Sequence, residues 1–118
     1  MTPDQAIQAH REWKFRFLAA MGKQERMNVA EVSADTCCKF GAWLHAEAKD
    51  RFDGLPAYRD CVEAHAAFHV LAGKIAQMVN DGQVREASQL LAYGTPYARA
   101  SETLTVKVVA MFKESGQA

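Results

Sequence analysis

The chain has 118 residues, 49% of them apolar, and its 14 basic side chains balance 14 acidic ones. It is long enough to bury a core, too apolar to be disordered, and carries no basic run that would favour a nucleic-acid partner. The Met1-Thr2-Pro3-Asp4 start has neither the basic nor the apolar segment of a leader, and no apolar stretch reaches membrane-spanning length; no membrane partner is expected, and the compartment is expected to be the cytoplasm.

Glycine and proline are sparse, and Ala, Glu, Lys, Arg, Leu and Gln are plentiful, so the class is read as all-α. A first helix opens with Thr2 as N-cap, Pro3 at its first position and Asp4 at its positive end. Ile7, His10, Trp13, Lys14, Phe17, Leu18 and Met21 then recur at helical spacing, which turns His10 inward. Gly22 is the expected stop, although the polar run to Arg26 could add a turn. Between Gly22 and Ser33 the signals compete: Asn28 and Glu31 have capping-box spacing, yet Ser33 and Asp35 are equally good caps. With the second helix started near Ser33, Cys38 falls in its first turn, where free amides and the helix dipole favour a thiolate, and the helix fades by Lys49.

Asp53-Gly54 marks a turn and Pro56 opens the third helix, whose inward stripe is Tyr58, Cys61, Val62, His65, Phe68, His69, Ala72, Ile75, Ala76 and Val79. Asn80-Asp81-Gly82 ends it, and a shorter helix follows from Val84 to Tyr93. Gly94 breaks that helix, Thr95 caps and Pro96 starts the last one, where Tyr97, Ser101, Leu104, Val108 and Met111 form a packing seam. The expected fold is an antiparallel four-helix bundle with one additional short helix, built by residues 1–118 as a single domain.

His65 and His69, four apart, share one helix face and can hold one transition-metal ion. With His10 on the first helix and Cys38 at the start of the second, they make three imidazoles and a thiolate, a closed tetrahedral set that suits zinc and leaves no place for water. Gly41, one turn beyond Cys38, would let a neighbouring helix come close to the metal. The competing reading is that the histidines are ordinary core residues, but three inward imidazoles would each need a hydrogen-bond partner and the sequence offers few. Three cysteines, two of them adjacent, do not make a disulfide framework; in a reducing compartment they are thiols, ligands or redox centres.

His10-x-x-Trp13, Cys38-x-Phe40-Gly41-x-Trp43-Leu44 and His65-x-x-Phe68-His69, in this order and at these intervals, resemble the chemoreceptor zinc-binding (CZB) domain family, as does Pro56-x-Tyr58 at the entry to the third helix. The resemblance implies that His10, Cys38, His65 and His69 bind Zn2+. It also implies a sensor of zinc or of an oxidant such as hypochlorous acid, often dimeric, that serves a methyl-accepting chemoreceptor or a diguanylate cyclase in bacterial signalling. His10 lies near the first residue and little follows the last helix, so the expectation is either a stand-alone member acting in trans or a regulatory domain excised from a longer protein.

Cys37 is expected to pack toward Phe40 and Leu44, about 100° around the helix from Cys38. Cys61 is read as core, with the alternative that it traps an oxidised Cys38 as a disulfide. Asp35 is read as a cap or surface residue, with the alternative that it supports a ligand histidine. His45, two turns or about 10 Å along a continuous helix from Cys38, is too far to share the ion. Trp13, Phe40, Trp43 and Phe68 are core. The functional expectation is a zinc and redox sensor in which Cys38 is the vulnerable ligand; the alternative is a zinc-stapled bundle that dimerises or docks a partner without sensing. An enzyme is not expected: there is no His-Glu-x-x-His for a zinc hydrolase and no Glu-x-x-His for a di-iron bundle.

Overall fold

A computed structural model describes residues 1–116, which form seven helices and no strand. Three are long: α1 (Pro3–Lys23), α5 (Pro56–Asn80) and α7 (Pro96–Glu114). Their starts follow the expected chemistry. Thr2 and Gln5 cap α1 reciprocally, Thr95 caps α7, and a proline opens all three. The α1 stripe is narrower than expected, since Lys14 and Leu18 face solvent while Ala6 and Ala20 are buried. The α1 helix ends at Lys23, just past Gly22, and the left-handed cap is Gln24 at φ 55°.

The stretch expected as one helix from Ser33 to Lys49 is divided between two short ones, α3 (Lys39–Leu44) and α4 (Glu47–Phe52), and a third, α2 (Val29–Ser33), occupies the end of the expected connection. Asn28 won the competition for the cap, its Oδ1 accepting from the Glu31 amide at 3.1 Å. A bend and turn over 34–38 then separate α2 from α3, and Ala46 (φ −123°, ψ −91°) separates α3 from α4. Between α5 and α7 the expected Val84–Tyr93 helix is shorter, α6 (Val84–Leu90).

Side-chain contacts fix the directions. Ser33 lies against Gly73, Val32 bonds His69, Cys38 meets His65, and the Tyr58 hydroxyl donates to the Leu44 carbonyl at 2.9 Å. The broken segment α2–α4 therefore descends along α5. The α7 helix also runs opposite to α5, since Phe68 meets Tyr97 while Asp60 pairs with Lys107. The α1 helix runs with α5: His10 meets His65, and beyond its end Met27 and Asn80 exchange two hydrogen bonds of 2.7 and 2.8 Å. Aromatic rings fill the interior at both ends, Phe17 and Phe68 on Tyr97 at one, Trp43 stacked on Phe112 beside Phe52 at the other. Among the described residues no helix is long and apolar enough to cross a membrane.

Candidate metal centre

His10 on α1 and His65 and His69 on α5 are 4%, 0% and 0% exposed, and their rings converge on Cys38 at the N-cap of α3. One ligand atom from each of His10, Cys38, His65 and His69 falls within 4.8 Å of the other three. The Cys38 Sγ lies 3.4 Å from Nε2 of both His65 and His69. A zinc ion about 2.3 Å from sulfur and about 2.0–2.1 Å from nitrogen would set tetrahedral sulfur–nitrogen edges of about 3.5 Å. The spacing fits that ion.

The tautomers fit as well. His10 Nδ1 lies 3.0 Å from the Ala6 carbonyl and His69 Nδ1 2.7 Å from the Val32 carbonyl, so each Nδ1–H donates outward and each Nε2 keeps its lone pair for the centre. His10 Nε2 is buried with no hydrogen-bond partner, a cost that a cation would remove. Burial, partly offset by the Ala6 carbonyl and reinforced by His69, lowers the His10 pKa to about 4. Burial, with His10, His69 and His45 nearby, lowers that of His65 to about 2, and burial also lowers His69 against the opposing effects of the Val32 carbonyl and Asp35. All three rings are therefore neutral at pH 7, as ligation requires.

The Cys38 thiol departs from expectation. It sits at the N-cap, where the Gly41 amide donates to Sγ at 3.2 Å, yet burial pushes its pKa up more than that amide lowers it, and the Asp35 charge adds to the rise. The start of a six-residue helix does not by itself make a thiolate here; a cation would have to. The close packing permitted by Gly41 also differs from expectation. A Cβ there would overlap the carbonyl of Asp35, on the chain's own preceding turn, before it met His65 Cε1 of the neighbouring helix at 3.1 Å.

Phe40, Phe68 and Trp13 wall the imidazoles with edge-on contacts and are core residues, as is Trp43. Cys61 is fully buried and its thiol is pushed up to about 12 by burial. Cys37 is exposed rather than packed, because the chain around it is a bend and not a helix. Together with Cys38 it lines a cavity of about 480 Å³ shared with Trp13, Arg16, Met27 and Val32. His45, the C-cap of α3, is not one of the four converging residues. Its ligand atom, with those of Asp35 and His65, forms a second trio within 4.8 Å. Sequence reading missed the outer carbonyls of Ala6 and Val32. The first was legible, one helical turn before His10; the second depended on α2.

Residues 10–76, over half of the chain and spanning all four converging residues, match the chemoreceptor zinc-binding domain family, CZB. Searches of curated proteins and of solved structures found no match. The family match and the three-histidine, one-cysteine cluster agree: the chain belongs to the chemoreceptor zinc-binding domain family.

Proposed function

We propose that this is a zinc-binding regulatory domain of bacterial signalling, in which His10, Cys38, His65 and His69 hold Zn2+ and Cys38 is the sensing ligand. The carrying observation is the convergence of three neutral imidazoles on one thiol, with a buried His10 nitrogen that has no other partner. When bound, zinc supplies the positive charge that keeps Sγ a thiolate at neutral pH.

The residues around Sγ account for the rest. The Ala6 and Val32 carbonyls fix two rings with their Nε2 atoms inward, and the aromatic wall keeps bulk water off them. Cys38 is only half-buried and lines an outer cavity, so a small oxidant can reach its sulfur without unfolding the core. The thiolate gives two electrons to hypochlorous acid: an S–O bond forms as O–Cl breaks, leaving sulfenic acid on Cys38 and releasing chloride. A sulfenic acid is a weaker ligand, and the 34–38 turn that carries it is then less firmly held. Structural zinc contributes about 10–16 kcal/mol in small domains, against a whole-domain stability of about 5–15 kcal/mol. Weakening one of four ligands is therefore large enough to shift a conformational equilibrium.

Following the family, the domain acts as a homodimer on a signalling protein of the chemoreceptor or diguanylate cyclase type, in cis or in trans. The test is zinc content and zinc release during stepwise hypochlorite addition, with Cys38→Ser beside the wild type. One zinc per chain, released in step with Cys38 oxidation and already weakly held in Cys38→Ser, is expected. Zinc that stays bound while Cys38 is oxidised would leave only a structural staple, and a protein indifferent to zinc would remove the proposal altogether.

A further inference from the structure

His65 differs from the other two rings of the centre. His10 and His69 each direct Nδ1 at a backbone carbonyl, but His65 is fully buried and its Nδ1 has no hydrogen-bond partner. Asp35 and His45 stand beside this ring: one ligand atom from each of Asp35, His45 and His65 lies within 4.8 Å of the other two. His45 Nε2 is 3.4 Å from Asp35 Oδ2, at ion-pair distance but without an aligned hydrogen bond. Gly41 is what lets the Asp35 turn come this close, because any side chain there would collide with the Asp35 carbonyl.

The trio could be read as a second cation site, but imidazole chemistry argues against it. A neutral ring has one lone pair, and His65 presents Nε2 to Cys38. Its Nδ1 then carries the proton and is a donor. Only His45 and Asp35 would remain for a second ion, too few for a stable site. What a buried N–H needs is an acceptor, and a centre of one dication, one thiolate and three neutral rings has a net positive charge that a carboxylate would offset.

We propose that Asp35 is the positioning residue for His65, accepting its Nδ1–H directly or through one water, with His45 holding the carboxylate from its other side. This rests on the reading that the four converging residues bind zinc. It makes the Asp35 turn part of the metal centre: the turn that delivers Cys38 to the ion is the same one that orients His65.

The test is zinc affinity of the full chain by competition with a chromophoric chelator, for the wild type, Asp35→Ala, Asp35→Glu and His45→Ala. Helical circular dichroism of each metal-free protein serves as a folding control. Asp35→Ala is expected to weaken zinc binding about 10–100-fold, as loss of an outer partner does elsewhere, with Asp35→Glu recovering part of it and His45→Ala losing less than Asp35→Ala. In the zinc-loaded protein labelled with 15N-histidine, the His65 Nδ1–H resonance should shift or vanish in Asp35→Ala while those of His10 and His69 stay. A structural role alone would not select one ring. Unchanged affinity together with an unchanged His65 resonance would overturn the proposal while leaving the zinc reading intact. Two zinc ions per wild-type chain would overturn it in favour of a second site, and a wild type that binds no zinc would overturn both readings.

Discussion

A methyl group on Gly41 would overlap the Asp35 carbonyl and press on His65 Cε1 at 3.1 Å. The first neighbour is backbone, which cannot swing aside as a side chain can, so the 34–38 turn would have to move as a whole. Overpacking of this kind typically costs about 1–3 kcal/mol. We therefore expect Gly41→Ala to lower the thermal midpoint and, unlike a substitution remote from the centre, to weaken zinc binding as well, because the displaced turn carries Cys38. Thermal melts run with and without zinc separate the two effects; a variant whose zinc affinity matches wild type would show that the turn tolerates the shift. The four candidate ligands were legible in the sequence because imidazole and thiol are few here and their spacing on α1 and α5 is helical. Their outer partners were less so. Asp35 and His45 are ten positions apart, and nothing local says that the chain bends between them to face one ring.

That bend is a property of elements. The long helices α1, α5 and α7 declared themselves through caps, prolines and apolar stripes, which agree over five turns or more. The α2, α3 and α4 helices have five or six residues each, too short to be stable by local propensity, so tertiary contacts decide where they start and stop. For α2 those contacts are the Val32 carbonyl on His69, at 2.7 Å, and the close seat of Ser33 on Gly73. Neither could be known before α5 was packed, which is why Ser33 looked as good a cap as Asn28. The α2 helix therefore fixes one of the converging rings directly. Asn28→Ala removes its cap, worth about 0.5–2 kcal/mol, and should loosen the hold on His69. Chelator competition should show weaker zinc binding in this variant, although Asn28 is not one of the four converging residues; unaltered affinity with a lowered melting temperature would mean that α2 stabilises the fold without steadying the ring.

At the scale of the molecule, the centre joins α1, the turn before α3, and α5. Without metal it buries three rings that must stay neutral. The unfolded chain protonates histidine near pH 6.5, whereas in the fold His10 is lowered to about 4 and His65 to about 2. Unfolding therefore takes up protons below pH 6.5. The stability these rings contribute is complete above that value and is lost as pH falls, to about 4 for His10 and on toward 2 for His65. Chelated protein should accordingly melt at lower urea concentration at pH 5 than at pH 7.5; a flat or opposite trend would mean that the metal-free fold lets water reach the rings. The Met27–Asn80 exchange and the Tyr58–Leu44 bond acquire a second meaning in this setting. They moor the segment between them at both ends, one on each side of the centre. A disturbance at Cys38 would fall on an interval pinned at two points, whose outer flank holds Thr36, Cys37 and Lys39 in solvent.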